Sequence, residues 1–501
     1  MVQPTLMRRR YCQSRAGILT ASRQPKPARQ TRFVLPDIRQ SASKASAQYW
    51  ILALFLLILF ATGGASRIDI QSLIILRPLS IIVCAIACMT LRREHLAGRG
   101  WLLGSIGAIF LLALLHIIPL PPSIWQTFAG REELVEIEKL AGLKDIWRPL
   151  TLAPMNGWHA LLSLFAPLAV ILLGIQLSRD DLFRLLPLLI GLAALSGLIG
   201  LLQAIGDPQS ALYFYRITNN GAAVGLFANR NHAATLLACI FPMLAVFAST
   251  ATGTADEIRF RQLTAAAIAI VLVPLILVTG SRSGLVSGFI GLAAAALLYR
   301  RPAEGRAVRR GTPNRIKAAP VLGGIAVVCL GFLTFFFSRA EAIERLFAES
   351  SGEDSRTDFW IVSFDLFWKY FPWGSGSGSY VEAFQIAEPA KMLDATYLNR
   401  AHNDWVEIAV TFGALGVAAL AVAVIGFVWR SYRLWQGTDG SRRSIAFGRM
   451  ASITILIIAI ASISDYPLRT PTMMGVFAIF ALWLSEAGRE QRDFAVRQGE
   501  A

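Results

Sequence analysis

Charged residues are scarce in this sequence. Asp, Glu, Lys and Arg make up 16% of its 501 residues, whereas hydrophobic residues make up 55%. A soluble domain carries about a quarter charged residues, so the composition argues against an ordinary soluble protein. Acidic residues are scarcer still than basic ones, which gives a net charge of +16. Because the basic excess lies in the first 49 residues and in loops between apolar runs, it indicates orientation in a membrane rather than nucleic-acid binding.

Cysteine and histidine are also rare, with five residues of each type. The cysteines are Cys12 in the basic N-terminal stretch and Cys84, Cys88, Cys239 and Cys329 inside apolar runs. Two cysteines on one helix face, without more cysteine or histidine nearby, define neither a disulfide framework nor a metal site. We therefore expect no metal and no cofactor.

Long apolar runs are abundant. A helix needs about 20 mostly apolar residues to cross a hydrocarbon core of roughly 30 Å, which predicts about twelve transmembrane helices. The predicted spans are 50–66, 72–91, 101–119, 157–177, 185–205, 231–250, 263–280, 284–299, 319–338, 402–429, 447–464 and 470–485. We thus predict an all-α polytopic membrane protein without a soluble domain or internal repeat. Its regions are a basic cytoplasmic tail (1–49), helices one to nine (50–338), a large helical outer loop (339–401), helices ten to twelve (402–485) and a second cytoplasmic tail (486–501).

The loop charges predict which side of the membrane each loop faces. Loops 91–100, 300–317 and 430–446 are rich in Arg and Lys, whereas loops 120–156 and 339–401 balance basic with acidic residues. Positively charged loops stay in the cytoplasm, so the balanced loops face outward. An even number of spans places both termini in the cytoplasm.

Polar residues cluster at the ends of spans, and all of these clusters fall on the predicted outer face. The four clusters are Asn229–His232, Ser281–Gly284, Arg400–Trp405 and Asp465–Arg469. An ionisable group beside hydrocarbon is costly and is a functional-site candidate by default. Four clusters on one face predict a single built site.

His402 is the strongest catalytic candidate, because an imidazole can serve as a general base near neutral pH. Asp404 and Glu407 lie close to it in the sequence, and Asn403 suits a helix cap. His232 is a weaker candidate, because a histidine at the end of a span can simply extend towards the interface. The Asp465–Arg469 turn ranks behind both as a supporting or structural element.

Arg230 and Arg282 each lie at the predicted start of a helix. A guanidinium fork and a helix N-terminus both suit phosphate oxygens, so we expect these residues to bind an anion. Contact with lipid headgroups is the alternative for either arginine alone. Arg356 and Arg469 are weaker members of the same set.

The outer loop 339–401 is too long for a simple connection. It contains two predicted helices, Ala340–Ser350 and the aromatic-rich Thr357–Tyr370, followed by the glycine–serine run 374–379. Aromatic residues beside a hinge-like glycine run would suit a mobile lid. An interfacial helix with a flexible joint is the alternative.

These motifs, in this order and on one face, resemble the O-antigen ligase superfamily, which also contains O-antigen and exopolysaccharide polymerases and protein O-oligosaccharyltransferases. The resemblance covers about 225–430. Its motifs are Gly225–His232, Thr279–Gly284, Arg356 with Trp360, Phe371–Gly374, Gly376–Tyr380 and His402–Trp405.

The resemblance implies a GT-C-like helical fold in the bacterial inner membrane, with the active site on the periplasmic face. The donor would be a glycan on undecaprenyl pyrophosphate, and the acceptor a hydroxyl of lipid A-core, a glycan or a protein. His402 would be catalytic, and Arg230 and Arg282 would hold the pyrophosphate. The possible supporting residues are Arg356, Asp404, Glu407, His232 and Arg469.

Two alternatives stay open. A ligase and a polymerase use the same donor and differ in the acceptor, which the sequence does not reveal. A non-enzymatic polysaccharide or lipid transporter is the alternative of another class. It is disfavoured because transporters place polar groups near the bilayer midplane, whereas here they gather at the ends of the spans.

Overall fold

A computed structural model describes residues 45–302, 351–393, 398–437 and 440–499; for 351–358 and 498 it describes the backbone alone. This part is 72% helical with almost no strand, which confirms the all-α fold. The helices are α1 (Ala47–Thr62), α2 (Leu73–Thr90), α3 (Arg93–Leu96), α4 (Gly100–Leu115), α5 (Pro122–Trp125), α6 (Glu132–Leu140), α7 (Pro154–Ser163), α8 (Phe165–Gly174), α9 (Arg179–Ile205), α10 (Arg230–Ser249), α11 (Ala255–Val278), α12 (Arg282–Leu298), α13 (Ser351–Lys369), α14 (Tyr380–Ala387), α15 (Asp404–Gln436), α16 (Arg442–Ser464) and α17 (Pro471–Gln498).

Four small elements lie between these helices in the described ranges. Strands β1 (Pro119–Leu120) and β2 (Arg148–Pro149) pair in antiparallel fashion within the loop that precedes α7. Short 3₁₀ helices cover Ala390–Met392 and Pro467–Arg469, and the second of these joins α16 to α17.

Eight helical segments in the described ranges are long and apolar enough to cross a membrane. They are α2, the consecutive pair α7–α8, α9, α10, α11, α15, α16 and α17, while α1, α4 and α12 are shorter apolar helices. Eleven of the predicted spans therefore each overlap an apolar helix. The predicted span 319–338 and the predicted helix Ala340–Ser350 lie outside the described residues, and the total of twelve stays a prediction.

Helix α10 lies at the centre of the bundle and is buried on nearly every side. A helix that is apolar all round belongs in such a position. Glycines of α12 allow it to pack closely on α10: a Cβ added at Gly284 would lie 2.4 Å from Cβ of Ala234, and one at Gly291 would lie 2.4 Å from the Ala238 carbonyl oxygen. These paired positions advance together, so α10 and α12 run parallel and begin at the same end of the bundle.

Helix α15 is broken at Gly413, whose φ of 55° and ψ of −144° are not helical. The preceding loop crosses the helix at this break. The amides of Ser375 and Gly376 donate to the carbonyls of Val410 (3.0 Å) and Thr411 (2.9 Å). In the opposite direction, the amide of Ala414 donates to the carbonyl of Pro372 (2.8 Å). The loop thus satisfies backbone groups that the break would leave unpaired in an apolar setting.

The glycine–serine run 374–379 is a packed core element, which corrects our expectation of a mobile hinge. Ser375, Ser377 and Ser379 are each 0% exposed. Gly376 has a φ of +103°, and a Cβ at this position would lie 2.1 Å from Cα of Thr151. The glycines are needed here for close packing and left-handed backbone rather than for motion.

Candidate active site

The four polar clusters meet at one end of the bundle, where α10, α12, α15 and α17 begin and α16 ends. We call this the site end. The side-chain amides of Asn229 and Asn231 donate to Oδ2 of Asp465 at 3.2 and 2.5 Å. Nε of Arg469 lies 3.0 Å from Oδ1 of Asp404. Three of the clusters are therefore in direct contact, and the close packing of α12 on α10 brings the fourth to the same end.

Several polar residues of these motifs are helix caps. Oδ1 of Asn403 accepts from the amides of Trp405 (3.0 Å) and Val406 (3.1 Å), which confirms its predicted role. Oδ1 of Asn229 and Oγ of Ser281 cap α10 and α12 in the same way. Such caps satisfy amides that a helix start leaves unpaired, and they fix where the neighbouring residues lie.

Asp465 contacts polar residues from several parts of the site. It follows the last residue of α16 and is 2% exposed. Its Oδ1 accepts from the amide of Tyr466 (2.9 Å) and faces two imidazoles, with Nε2 of His232 at 3.5 Å and Nδ1 of His402 at 3.8 Å. With the two asparagine amides on Oδ2, a buried carboxylate is surrounded almost entirely by donor groups.

The imidazoles of His232 and His402 also share the ring of Tyr466. Each imidazole centroid lies 5.0 Å from the tyrosine centroid in an edge-to-face arrangement. Burial raises the pKa of Tyr466, and the charge of Asp465 raises it further, so the hydroxyl keeps its proton. The tyrosine ring therefore packs against both histidines.

The carboxyl of Asp465 is ionised although it is buried. Burial alone would raise its pKa, but the nearby imidazoles of His232 and His402 outweigh burial and hold the pKa well below its ordinary value. A nearby positive or donor group favours the charged form of a carboxyl. No group of three or more His, Cys, Asp or Glu is arranged to hold a metal ion in the described ranges.

His402 has a strained backbone and a partly open ring. Its φ is +49°, a left-handed conformation that a non-glycine residue rarely adopts. Such strain persists only where surrounding structure enforces it, and it concentrates at functional sites. The side chain is 29% exposed, yet Nδ1 is buried. The exposed edge of the imidazole is therefore the one that carries Nε2.

Asp404 and Glu407 bind arginines rather than His402. Glu407 Oε1 lies 2.9 Å from Arg400 Nη1 and 3.4 Å from Arg469 Nη2, and its Oε2 accepts from the amide of Ala401 (3.2 Å). Asp404 pairs with Arg469 and accepts from Ser462 Oγ at 3.1 Å.

This four-residue ion-pair network lies beneath the loop that carries His402. Burial alone would lower the pKa of Arg469, but the two carboxylates outweigh burial and raise it. Arg469 therefore stays charged, and its ion pairs with Asp404 and Glu407 fix the start of α15.

Arg230 and Arg282 are the first residues of α10 and α12, as expected. Both are half-buried, and the parallel packing of their helices places two helix N-termini side by side. The backbone of Arg356 lies in α13, but its side chain is outside the described residues. The supporting role suggested for Arg356 stays a prediction.

Sequence reasoning ranked Asp465 too low, and it did not foresee the contacts of Arg400. The signal was present, because Asp465 is an acid at the end of an apolar run. Its importance depends on contacts with α10, which lies more than two hundred residues earlier in the chain.

One comparison with known proteins gives a match. Residues 266–421 match a family model described as O-Antigen ligase. A search of curated proteins gave no match. The matched range holds Arg282 and His402 together with the break in α15, while Arg230, His232 and Asp465 reach the same site from outside it. This match and the all-α polytopic fold support a relationship to the O-antigen ligase superfamily.

Proposed function

We propose that the protein transfers a glycan from undecaprenyl pyrophosphate to an acceptor hydroxyl at the periplasmic face of the bacterial inner membrane. The observation that carries this proposal is the ring of His402. Its buried Nδ1 faces the carboxylate of Asp465, and its other edge is exposed at the site end. A base with one nitrogen oriented and the other free for substrate is the arrangement that proton abstraction from a hydroxyl requires.

His402 acts as the general base in this mechanism. Nδ1 carries the proton that faces Asp465, so Nε2 has a free lone pair. Nε2 accepts the proton of the acceptor hydroxyl as its oxygen forms a bond to the anomeric carbon. The bond from that carbon to the pyrophosphate oxygen breaks at the same time, which inverts the configuration. Asp465 stabilises the imidazolium that results.

Arg230 and Arg282 bind the pyrophosphate. Negative charge grows on the leaving group as the bond breaks, and fixed positive charge stabilises this growth more than it stabilises the ground state. The adjacent N-termini of α10 and α12 add backbone amides and favourable dipoles. Asp404, Glu407 and Arg469 support the loop that carries His402.

The proposal is tested with the purified protein in lipid and a synthetic undecaprenyl-pyrophosphate glycan. We expect His402→Ala to abolish transfer and Arg230→Ala or Arg282→Ala to weaken donor binding. His95→Ala is the matched control, since His95 lies in the helix of a basic loop, α3. Full transfer by His402→Ala would refute the role of His402.

The acceptor distinguishes the two enzyme readings. Lipid A-core and a second carrier-linked repeat are offered in separate reactions. Product on lipid A-core identifies a ligase, and lengthening of the carrier-linked glycan identifies a polymerase. Transport without any new glycosidic bond would identify the non-enzymatic alternative.

A further inference from the structure

His232 has a place in the site that the mechanism above does not use. Its side chain is 1% exposed, and neither ring nitrogen has a hydrogen-bond partner among the described residues. Burying an unpaired polar group is costly, so a buried histidine normally has a partner. Nε2 of His232 lies 3.5 Å from Oδ1 of Asp465.

That oxygen is the one that His402 faces. The two imidazoles approach Oδ1 of Asp465 at 3.5 and 3.8 Å, and neither distance is that of a well-formed hydrogen bond. Oδ2 is occupied by the amides of Asn229 and Asn231. The two histidines therefore compete for one oxygen atom.

We propose that His232 is a positioning residue that controls the protonation of His402 through the shared carboxylate of Asp465. One carboxylate can neutralise only one imidazolium. The first proton taken up by His232, His402 and Asp465 together is shared between the two imidazole rings. A second proton is disfavoured, because one positive charge is already present. Groups coupled in this way take up protons in two steps that belong to the set rather than to either histidine.

This coupling gives His232 a function in the proposed reaction. Because both rings face Oδ1 of Asp465, the carboxylate is not reserved for a proton on His402. When His402 receives the acceptor proton, its imidazolium can still draw on Asp465. The consequence for catalysis rests on the proposed function, whereas the coupling itself does not.

The other ionisable groups around the two histidines either have contacts of their own or are the same in every protein compared. Tyr466 touches both rings and keeps its proton. The ion-pair network and the two helix-start arginines are unchanged in every variant below: Arg400, Asp404, Glu407, Arg469, Arg230 and Arg282.

The test measures the protonation of His402 directly. Diethyl pyrocarbonate modifies neutral, accessible imidazoles, and mass spectrometry locates the product. The rate at His402 is followed from pH 4.5 to 8.5 in the full-length protein in lipid. Two variants remove the competition: His232→Gln keeps a neutral donor, and His232→Phe keeps a flat ring. Modification of His95 in the same samples is the internal control.

We expect both variants to raise the midpoint of the His402 profile by about one pH unit and to replace a broad profile with a single-proton curve. Asp465→Asn should lower the midpoint, because the imidazolium loses its counter-ion. An unchanged midpoint in the folded His232→Gln protein would overturn the proposal. If His402→Ala were to keep full transfer, the proposed function would fail while the His402 profiles still decided the coupling.

The transfer reaction supplies the second readout. A coupled His232 predicts that the acid limb of the kcat/KM profile moves with the modification midpoint, while activity near pH 8 changes less than threefold. A role confined to packing would instead lower activity equally at every pH, with the acid limb unmoved, and this outcome would also contradict the proposal.

Discussion

Nδ1 of His402 lies 3.8 Å from Oδ1 of Asp465, on the buried edge of the imidazole. His402 lies just before the start of α15, and Asp465 lies just after the end of α16. The two residues therefore belong to different sequence motifs. The backbone of His402 adopts a φ of +49°, and its imidazole ring faces the carboxylate of Asp465. The site is therefore a product of the bundle rather than of one loop.

The first prediction concerns Asp465→Asn, which is expected to lower kcat by about 100-fold or more. The amides of Asn229 and Asn231 hold the Oδ2 position, so the new side chain would direct its carbonyl towards them and its NH₂ group towards His402. A donor facing Nδ1 forces the proton of the neutral ring onto Nε2. The lone pair needed for proton abstraction is then lost. The measurement is the initial rate of glycan transfer at saturating donor.

Ser464→Ala is the control for this change, since Ser464 precedes Asp465 and, within the described residues, its hydroxyl makes a long 3.4 Å bond to a carbonyl of its own helix. It should retain nearly full activity. If Asp465→Asn were as active as the control, the carboxylate would have no part in orienting His402.

The second prediction concerns the ion-pair network. Glu407→Gln removes the carboxylate that lies between Arg400 and Arg469, and Glu407 is 1% exposed. Removing one partner of a buried ion pair leaves uncompensated charge, which costs about 3 kcal/mol. We expect a large fall in the thermal unfolding midpoint in detergent.

Glu133→Gln provides the matched comparison. Glu133 pairs with Lys369 at 3.0 Å, but its side chain is 62% exposed. Exposed pairs contribute roughly 0.5 kcal/mol or less, so this midpoint should barely move. Equal effects of the two substitutions would show that burial does not govern the network.

Most of the helices could be predicted from the sequence, because a membrane-spanning helix needs an apolar run of nearly fixed length. It could also predict His402, Arg230 and Arg282 as candidates, since charged residues at the ends of spans stand out against hydrocarbon. The sequence also placed Asp404 and Glu407 beside His402. In the structure, however, these two carboxylates form ion pairs with Arg469 and Arg400.

The glycine–serine run shows why the rest could not be predicted. Glycines in a loop are compatible with a flexible joint or with close packing, and the sequence alone does not distinguish them. The difference lies in Gly413, where α15 breaks and offers carbonyls to the run. A break in an otherwise apolar helix leaves no sequence signal beyond a single glycine.

The third prediction follows from that packing. Gly376→Ala should destabilise the protein by several kcal/mol, because its Cβ would lie 2.1 Å from the backbone of Thr151 and its φ is +103°. Gly142→Ala is the control: φ is +66°, but no atom of the described residues beyond its chain neighbours lies within 4 Å of the added Cβ. It isolates the backbone strain, expected to be about 1 kcal/mol. Thermal unfolding of both variants provides the comparison, and equal losses would mean that contact with Thr151 is unimportant.

The fourth prediction tests whether close packing of α10 on α12 positions the arginines. Gly291→Leu introduces a side chain where even a Cβ would lie 2.4 Å from the Ala238 carbonyl oxygen. The helices must separate, and the distance between Arg230 and Arg282 at their shared end should grow. A wider pair binds pyrophosphate less well, so KM for the lipid-linked donor should rise by about tenfold, which corresponds to roughly 1.4 kcal/mol. The kcat should also fall, because the same charges stabilise the pyrophosphate as it leaves.

Gly191→Leu is the matched control for this substitution. Gly191 lies in α9, and outside its own helix backbone no atom in the described part of the chain lies within 4 Å of an added Cβ. It adds the same apolar bulk to the bundle without separating α10 from α12, so KM for the donor should stay unchanged. An equal rise in KM for both variants would trace the effect to general disturbance of the bundle. An unchanged KM for the donor in Gly291→Leu would instead mean that the spacing of the two arginines does not govern donor binding.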